Sequence, residues 1–427
     1  MEPRSAPTST SEPSTSARLE ATLEPVLGPV SIENLQRLSG GASRETWSFS
    51  ANGRDLILRR DPPGRPGAPG AMGLEADAMR ACRRAGLAVP EVLVDDDGAA
   101  LGTAGLVMER VRGEALARRI LRDDDYARAR QILVHQLGAF LAGLHAIDPA
   151  EVPGAADVDT PAQLWDAYEW VDDTSPTFEK AHEWLVANRP ERRATTLVHG
   201  DLRMGNLIVD ERGLAAAIDW ELAHLGDPLE DLAWLCVKAW RFGAPLAAGG
   251  VGTIDQLVAA YEEAGGRPVD RDALHWWLVE KTLQWGIICM VQAAAHLTGA
   301  ARSHQLAAIG RRVAEQEWDL IELLAPTAWD AARDESLPEP QPDVAGLHGR
   351  PTARELLDAV RTFLTDDVMA GTTGRLSFDA RVAANMLAIV ERELGQASRE
   401  HTGDDWSSLA RAVRDKLAVA NPKHLTL

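Results

Sequence analysis

Residues 199–220 read HGDLRMGNLIVDERGLAAAIDW, and the expected structure can be built outward from them. Two short apolar runs, LIV and LAAAI, are joined by the polar turn DERG, a pattern that predicts a pair of short strands. Asp201 and Asn206 precede the first run, and Asp219 follows the second. Since both ends of such a hairpin lie close together, the sequence predicts that these three side chains converge.

The residue types at these positions suit phosphoryl transfer. That reaction needs an oriented hydroxyl group, bound magnesium and positive charge around the moving phosphoryl group. Asp201 can accept the hydroxyl proton, while Asn206 and Asp219 supply the hard oxygen ligands that magnesium prefers. Arg203 is placed to offset phosphoryl charge, and His199 to brace the loop through hydrogen bonds. Alone, Asp201 would be interpreted as a turn residue and Asn206 as a loop cap, so the combination carries the hypothesis.

The charge of the chain narrows its possible partners. Its 427 residues, enough for about two or three domains, include 44 Lys and Arg against 64 Asp and Glu, a net charge of −20. Such a field repels nucleic-acid backbones and anionic membranes and attracts cations, although an acidic surface also serves solubility alone. We therefore expect neither a nucleic-acid nor a membrane partner.

Cysteine usage and the N-terminus predict a cytoplasmic protein. Three cysteines without a CxxC spacing support neither a disulfide framework nor a zinc cluster. The N-terminal stretch MEPRSAPTSTSEPSTSA lacks the apolar core of a signal peptide. No apolar run reaches the roughly 18 residues needed to cross a bilayer.

Composition divides the chain into five parts. Residues 1–18 are rich in Ser, Thr, Pro and Ala and predict a disordered tail. Residues 19–111 carry hairpin signals around one helical pattern, which predicts a small antiparallel α+β unit. Residues 112–330 are mainly helical in pattern, 331–351 resemble a Pro-rich linker, and 352–427 show amphipathic stripes that predict a small helical bundle. The stripes indicate no site, and a protein partner or self-association through them stays open.

The loop HGDLRMGN, followed by IDW, resembles the catalytic and metal-binding loops of aminoglycoside phosphotransferases and choline kinases. These are small-molecule kinases with a protein-kinase-like fold, and the resemblance covers about residues 30–330. It implies a bilobal α+β fold, with a small antiparallel-sheet N-lobe for the nucleotide and a mainly helical C-lobe, followed by the small all-α bundle. It also implies that ATP or GTP is the phosphoryl donor, that Asp201 is the catalytic base and that Asn206 and Asp219 bind Mg2+.

The forms GDLRMGN and IDWELAHLGDPLEDLAWL are similar to a branch that includes kinase domains fused to acyl-CoA dehydrogenases. This resemblance implies a small hydroxyl-bearing acceptor, either aminoglycoside-like or hydroxyacyl-CoA-like. A protein substrate is disfavoured, because no D-F-G or A-P-E triplet occurs and a helix start is expected already at Asp227, shortly after Asp219. Asp231, in the first turn of that helix, is expected to support the catalytic loop or to face the substrate.

Two departures from kinase patterns affect the nucleotide lobe. Gly40, Gly41 and Ser43 follow the first predicted strand, as a phosphate-covering loop would. The full G-x-G-x-x-G is missing, however, and a plain hairpin turn is the alternative. No lysine precedes Lys180, so Arg59, at the end of the run LILR, is expected to replace the strand lysine that kinases use.

The remaining nucleotide contacts follow from the same comparison. Glu75, on the next predicted helix, is the expected ion-pair partner of Arg59, and an exposed helical glutamate is the alternative. A guanidinium binds phosphate bidentately and stays charged, so the replacement is chemically sound. The segment GLVMERVRGEAL matches the hinge between kinase lobes, where main-chain groups of Glu109 and Val111 would face the base.

We therefore expect a magnesium-dependent kinase that acts on a small-molecule hydroxyl group. The alternative is a weak or inactive nucleotide-binding scaffold that recruits a partner through its C-terminal helices. The absent strand lysine and the incomplete glycine loop favour this alternative, whereas the intact Asp201, Asn206 and Asp219 oppose it.

Overall fold

The N-terminal lobe is built on an antiparallel sheet. The computed structural model describes residues 14–38, 44–347, 349–396 and 403–427. Within these residues the sheet has five strands in the order β1-β2-β3-β5-β4. They are β1 (Ile32–Arg37), β2 (Glu45–Ala51), β3 (Arg54–Arg60), β4 (Val92–Asp96) and β5 (Gly105–Glu109). Asn52 and Gly53, both at positive φ, make the predicted tight turn between β2 and β3.

A helix covers one face of this sheet. Helix α1 (Thr15–Leu27) begins at Ser14, whose side chain accepts a backbone N–H of the first turn. Leu19 and Leu23 are fully buried in one cluster with apolar residues of the sheet. Burying a leucine contributes roughly 1.5–3 kcal/mol, which offsets the ordering of a Ser- and Thr-rich segment. The disordered tail predicted for residues 1–18 is therefore wrong from Thr15 onward.

The other face of the sheet receives α2 (Ala71–Arg84) and turns toward the rest of the chain. Val107 of β5 packs with α1, whereas its neighbours Leu106 and Met108 join the main core. This alternation is the two-residue period of a strand. The same core includes Met79 of α2, so the helix is fixed against the sheet and its polar residues are held in place.

The helical lobe packs around one long helix. Its helices are α3 (Ala117–Arg122), α4 (Ala127–His145), α5 (Thr160–Trp170), α6 (Pro176–Ala187), α7 (Leu229–Cys236), α8 (Ile254–Glu263), α9 (Arg271–Leu297), α10 (His304–Gly310), α11 (Val313–Leu324) and α12 (Pro326–Asp334). Helices α5, α6, α7, α10 and α11 all pack on α9. Trp276 and Trp277 of α9 are buried in the core. No helix in the described ranges combines the length and the apolar character that crossing a membrane requires.

Short strands carry the polar loops of this lobe. They are β6 (Thr196–Val198), β7 (Leu207–Asp210), β8 (Gly213–Ala217) and β9 (His224–Gly226). β7 pairs with β8, and β6 pairs with β9, both antiparallel. The hairpin predicted from the two apolar runs is therefore present, with Asn206 directly before β7 and Asp219 shortly after β8.

The amphipathic stripes after residue 351 form helices, as predicted. Helix α13 (Ala353–Thr362) continues into a π-helical turn, Phe363–Met369. Helices α14 (Gly374–Gly395) and α15 (Trp406–Ala420) follow, and α13 packs on α14.

Helix α15 is not part of a separate unit. Its Leu409, Val413 and Leu417 share a buried cluster with Trp318 of α11 and Trp329 of α12. The expectation that an independent module follows the linker is therefore wrong for this last helix. Helical periodicity shows that a helix has an apolar face but does not show what covers it, and here the helical lobe does.

Candidate active site

The loop of residues 199–206 leaves β6 and ends in a tight turn before β7. Gly200 lies at φ +79°, and a Cβ there would come 2.5 Å from the carbonyl oxygen of Leu222. Glycine alone fits this left-handed position without moving the backbone. A short 3-10 turn, Met204–Asn206, then brings Asn206 back toward the start of the loop.

Asp231, in the first turn of α7, supports this loop. Its carboxylate is fully buried and accepts the backbone N–H groups of His199 and Gly200 at 2.8 and 2.9 Å. His145 of α4 lies 3.3 Å from the same carboxylate. Burial alone would raise the pKa of Asp231, but His145 and the loop amide outweigh it and hold that pKa below its ordinary value. Asp231 is therefore ionised and holds the loop, one of the two roles expected for it.

Replacing Asp231 with Asn is expected to lower the free energy of unfolding by about 2–4 kcal/mol, because one buried loop amide loses its acceptor. Since the folded pKa is depressed, the contribution of the carboxylate is complete above the unfolded pKa of about 3.9 and is lost as the pH falls through the folded value. Urea unfolding should therefore separate Asp231→Asn from the wild type at neutral pH and bring the two closer in acid.

Asp227 offers the matched control for this prediction. It lies directly before Pro228, the N-cap residue of the same helix, and accepts the Leu229 N–H at 2.9 Å. Because the side-chain oxygen of Asn can accept the same hydrogen bond, Asp227→Asn should change the unfolding free energy by less than about 1 kcal/mol. Equal stability of Asp231→Asn and the wild type at neutral pH would contradict the supporting role.

His199 is enclosed within the loop. Its Nε2 lies 3.1 Å from the carbonyl oxygen of Ile218, and its Nδ1 lies 3.2 Å from the backbone nitrogen of Asp201. Burial lowers the pKa of His199, so the ring is neutral at pH 7, with Nε2–H donating and Nδ1 accepting. The ring thus links the loop to the residue that follows β8 without adding charge beside Asp201.

The carboxylate of Asp201 accepts hydrogen bonds on both oxygens. Oδ1 accepts from Trp234 Nε1 at 2.7 Å and from Arg203 Nε at 2.9 Å. Oδ2 accepts from Asn206 Nδ2 at 2.6 Å. The side chain is 15% exposed, so the group is firmly held and still accessible. Arg203, expected beside a phosphoryl group, is placed here against this carboxylate.

Asp219 stands at the exit of the hairpin in a left-handed conformation, φ +70°. Asp and Asn are the residues with a side chain that adopt this conformation most readily. The main-chain N–H of the preceding residue, Ile218, donates to the main-chain carbonyl oxygen of Asn206 at 2.9 Å. This bond joins the end of the hairpin to the loop of residues 199–206. Asp219 Oδ1 accepts from Arg59 Nη2 at 2.7 Å. These contacts form one network, in which Asp201 and Asn206 meet through their side chains and Asp219 is joined to them through the main chain.

Arg59 reaches from β3 of the N-terminal lobe to this network. Its guanidinium pairs with Glu75 of α2 through Nη1 and with Asp219 through Nη2. Burial opposes the charge of Arg59, but the facing carboxylates hold its pKa above the ordinary value. The next residue, Arg60, points to the other face of the strand and pairs with Glu45 at 3.0 Å, as strand alternation predicts.

Glu75 is 1% exposed, so it is not the exposed helical glutamate that was the alternative. Arg44, directly before β2, forms a second ion pair with the Glu75 carboxylate. Arg44 also lies 3.6 Å from Asp61. The sequence analysis missed Arg44. Its position directly after the glycine-containing segment was the signal that could have found it.

The structure describes only some of the other residues that were expected to contact the nucleotide. Three of them fall outside the described residues: Gly40, Gly41 and Ser43. The backbone N–H of Glu109 donates to the carbonyl oxygen of Glu91 at 2.9 Å, so it is used within the lobe. The N–H and C=O of Val111 make no hydrogen bond to any residue that the structure describes, and both are available to a ligand.

The donor set at the end of the hairpin fits a magnesium ion. The side-chain nitrogen of Asn206, Nδ2, donates to Asp201, which leaves the side-chain oxygen, Oδ1, for a cation. Asp219 uses Oδ1 on Arg59, which leaves Oδ2. In the described ranges no group of three or more His, Cys, Asp or Glu side chains is arranged to hold a metal ion. One carboxylate and one amide suit Mg2+, which typically takes one or two protein ligands together with substrate phosphates.

Residues 34–277 match the sequence profile of the phosphotransferase enzyme family. The chain belongs to this family. The match includes the loops of Asp201 and Asp219 and the strand of Arg59. The resemblance read from HGDLRMGN and IDW is thereby confirmed.

Two relatives of this chain are acyl-CoA dehydrogenase family members. Acyl-CoA dehydrogenase family member 10 of Mus musculus is 28% identical over 347 residues, 74% of this chain and 31% of its own length. Acyl-CoA dehydrogenase family member 11 of Gallus gallus is 27% identical over 331 residues, 70% of this chain and 41% of its own length. This chain therefore spans less than half the length of either relative.

Two solved structures share the fold of this chain. A candidate aminoglycoside phosphotransferase of Ralstonia eutropha superimposes with a TM-score of 0.58 at 23% identity, covering 71% of this chain and 97% of that chain. The macrolide 2'-phosphotransferase of Brachybacterium faecium gives 0.50 at 20% identity, covering 68% and 96%. The predicted bilobal α+β architecture is confirmed by this likeness.

Trp234 contacts the Asp201 loop, and His145 contacts Asp231, which supports that loop; the sequence analysis missed both. Trp234 lies one helical turn after Asp231 on α7, so both side chains face the loop. That i, i+3 spacing was a usable signal. His145 is brought in from α4 by tertiary packing, for which no local pattern exists.

Proposed function

We propose that this chain transfers the γ-phosphoryl group of ATP or GTP to a hydroxyl group of a small molecule, with Asp201 as the base. One observation carries the proposal. In this network the side chains of Asp201 and Asn206 hydrogen-bond to each other, and a main-chain hydrogen bond joins Asn206 to the residue before Asp219. The Asp219 carboxylate pairs with Arg59 of the other lobe. This network across the lobes supports the proposal that the groups for a hydroxyl group, a cation and a phosphate lie near one another.

Each residue of the network has a separate role in the proposal. Asp201 orients the acceptor hydroxyl group and takes its proton. Asn206 and Asp219 would hold Mg2+, which supplies charge neutralisation on the phosphate oxygens when bound. Arg59 binds donor phosphates with Glu75 keeping its guanidinium in place. Val111 offers its free backbone groups to the base at the junction of the lobes.

The acceptor remains a choice between two classes. Family membership and the structural neighbours support an aminoglycoside-like acceptor, whereas the named relatives support a hydroxyacyl-CoA-like one. A coupled assay of ADP release with Mg·ATP or Mg·GTP, over aminoglycosides, macrolides, choline-like alcohols and hydroxyacyl-CoAs, tests both. Acceptor-dependent ADP release in any class supports the proposal. Tight nucleotide binding with no turnover across the panel contradicts it.

The non-catalytic scaffold is kept as a second candidate because the C-terminal helices expose apolar side chains. Leu356 and Val360 of α13, with Phe363 of the π-helical turn, are each at least half exposed, at 54%, 50% and 56%. They follow one another at helical spacing, as on a single face. Such a face is expected to bind a partner or a second copy of the chain. This candidate gains if the panel gives no turnover.

Replacing Arg59 with Met is expected to raise the KM for the nucleotide about 10–100-fold, because a charge-assisted hydrogen bond of about 1.5–3 kcal/mol to phosphate is lost. Glu75 keeps Arg44 as a partner, so the variant should still fold. Initial rates against nucleotide concentration measure the effect. Arg60→Met is the matched control, since Arg60 points to the opposite face of the same strand. Equal KM values in the two variants would remove Arg59 from the nucleotide site.

A further inference from the structure

The proposed base, Asp201, and three other side chains contact one another in a closed circuit, which we call the Asp201 clamp. The other three are Arg203, Trp234 and Trp240. Asp201 Oδ1 accepts from Arg203 Nε at 2.9 Å and from Trp234 Nε1 at 2.7 Å. The Arg203 guanidinium lies 4.6 Å from the centre of the Trp240 ring. The centres of the Trp234 and Trp240 aromatic rings lie 5.2 Å apart, and this contact completes the clamp.

We propose that Trp234 is a positioning residue for phosphoryl transfer, which fills Oδ1 of Asp201 together with Arg203 and leaves Oδ2 as the oxygen that receives the proton. The inference rests on the proposed function. A carboxylate oxygen has two lone pairs, and two donors occupy both of those on Oδ1. From the residues that the structure describes, Oδ2 accepts one side-chain donor, Asn206, which leaves one of its lone pairs for the acceptor hydroxyl group.

The clamp fixes which oxygen takes part in the reaction. The acceptor oxygen bonds to the γ-phosphorus, and the bond from that phosphorus to the β–γ bridging oxygen breaks. The electron pair of the broken bond leaves with the nucleoside diphosphate. The hydroxyl proton passes to the free lone pair of Asp201 Oδ2. Because Oδ1 is saturated, rotation of the carboxylate cannot exchange the two oxygens without breaking two hydrogen bonds.

Burial makes the Trp234 contact difficult to replace. Trp234 is 3% exposed, so water has little access to its N–H. An indole N–H is a donor only, which permits a single orientation toward the carboxylate. In the same aromatic cluster, the N–H groups of Trp240 and Trp285 have no hydrogen-bond partner within the described part of the chain. The use of an indole N–H on the base is therefore specific to Trp234 in this cluster.

Trp234→Phe tests the inference, because it keeps a ring in the core and removes the N–H. We expect kcat to fall about tenfold, with the nucleotide KM unchanged, and the acid limb of the pH–rate profile to move up by about one pH unit. The readout is ADP release from Mg·ATP with water as acceptor, or with an acceptor found in the panel. Trp285→Phe is the matched control, and it should keep the wild-type kcat and profile.

Gly205 provides a second, independent variant. A Cβ at this position would overlap Arg203 Nη1, so Gly205→Ala pushes the guanidinium off the clamp. The same upward move of the acid limb is expected. This variant acts through Arg203 and leaves the core aromatic residues intact, so it answers the question if Trp234→Phe fails to fold.

A measurement without turnover completes the test. The indole N–H signal of Trp234, identified by its loss in Trp234→Phe, should move in nitrogen–proton NMR spectra when Asp201 is replaced by Asn. The Trp285 signal should stay in place. An unmoved Trp234 signal, or a wild-type rate and pH profile in Trp234→Phe, overturns the positioning role. If Asp201→Asn itself stays active, the proposed function fails instead, so the two failures are distinguishable.

Discussion

Replacing Asp201 with Asn is expected to reduce kcat by about 10³-fold, within the roughly 10²–10⁴-fold range of general acid–base catalysis. The substitution keeps the shape of the side chain and removes the lone pair and the charge that receive the proton. Trp234 and Arg203 still find an amide oxygen to donate to. The free energy of unfolding should therefore fall by less than about 2 kcal/mol.

The matched control for Asp201 is in the adjoining hairpin. Asp210 ends β7 and pairs with Arg212 at 2.8 Å on the surface. Asp210→Asn should retain the wild-type kcat, since an exposed ion pair contributes little. Initial rates at saturating nucleotide, with urea unfolding of each variant, separate lost chemistry from lost folding. Normal turnover in Asp201→Asn would contradict the assignment of Asp201 as the base.

The second large effect is expected at Asp219. Asp219→Asn should raise the Mg2+ concentration needed for half-maximal activity by at least about 100-fold, because residues that merely orient a metal ligand already change affinity about 10–100-fold. Asn is chosen because it tolerates the φ of +70° at this position, whereas most side chains would add strain. Activity against Mg2+ concentration gives the result directly.

Asp219→Gly controls for backbone effects. Glycine accepts φ +70° without cost and removes the carboxylate, so it should show the same loss of Mg2+ affinity as Asn. A magnesium dependence equal to that of the wild type in both variants would exclude Asp219 as a metal ligand. A loss in Asn but not in Gly would point to local conformation instead.

The central hairpin was predictable because its signals are local. The alternation of apolar runs and a polar turn determines β7 and β8, and the residues at their ends must then meet. Arg59 was chosen because it matches the position of the strand lysine in the family that the chain resembles, and strand periodicity then separates its face from that of Arg60. The hairpin and this separation of faces use only neighbours in the chain.

The contacts that sequence reasoning missed depend on packing between distant segments. Trp234 reaches Asp201 from α7, and His145 reaches Asp231 from α4. The i, i+3 spacing links Trp234 only to Asp231, and no period links either helix to the loop. Arg44 is brought to Glu75 by the fold of the sheet against α2. The order of α1 likewise depends on a sheet face formed later in the chain. Local composition gave the opposite expectation there.

The docking of α15 onto two tryptophans decides where this chain can be shortened. A truncation at residue 330 or 351, the borders that composition suggests, would strip the cover from Trp318 and Trp329. The newly exposed tryptophan side chains would make such a fragment prone to aggregate, whether or not its catalytic loop is intact. A minimal fragment for biochemical work should therefore retain the chain through Ala420.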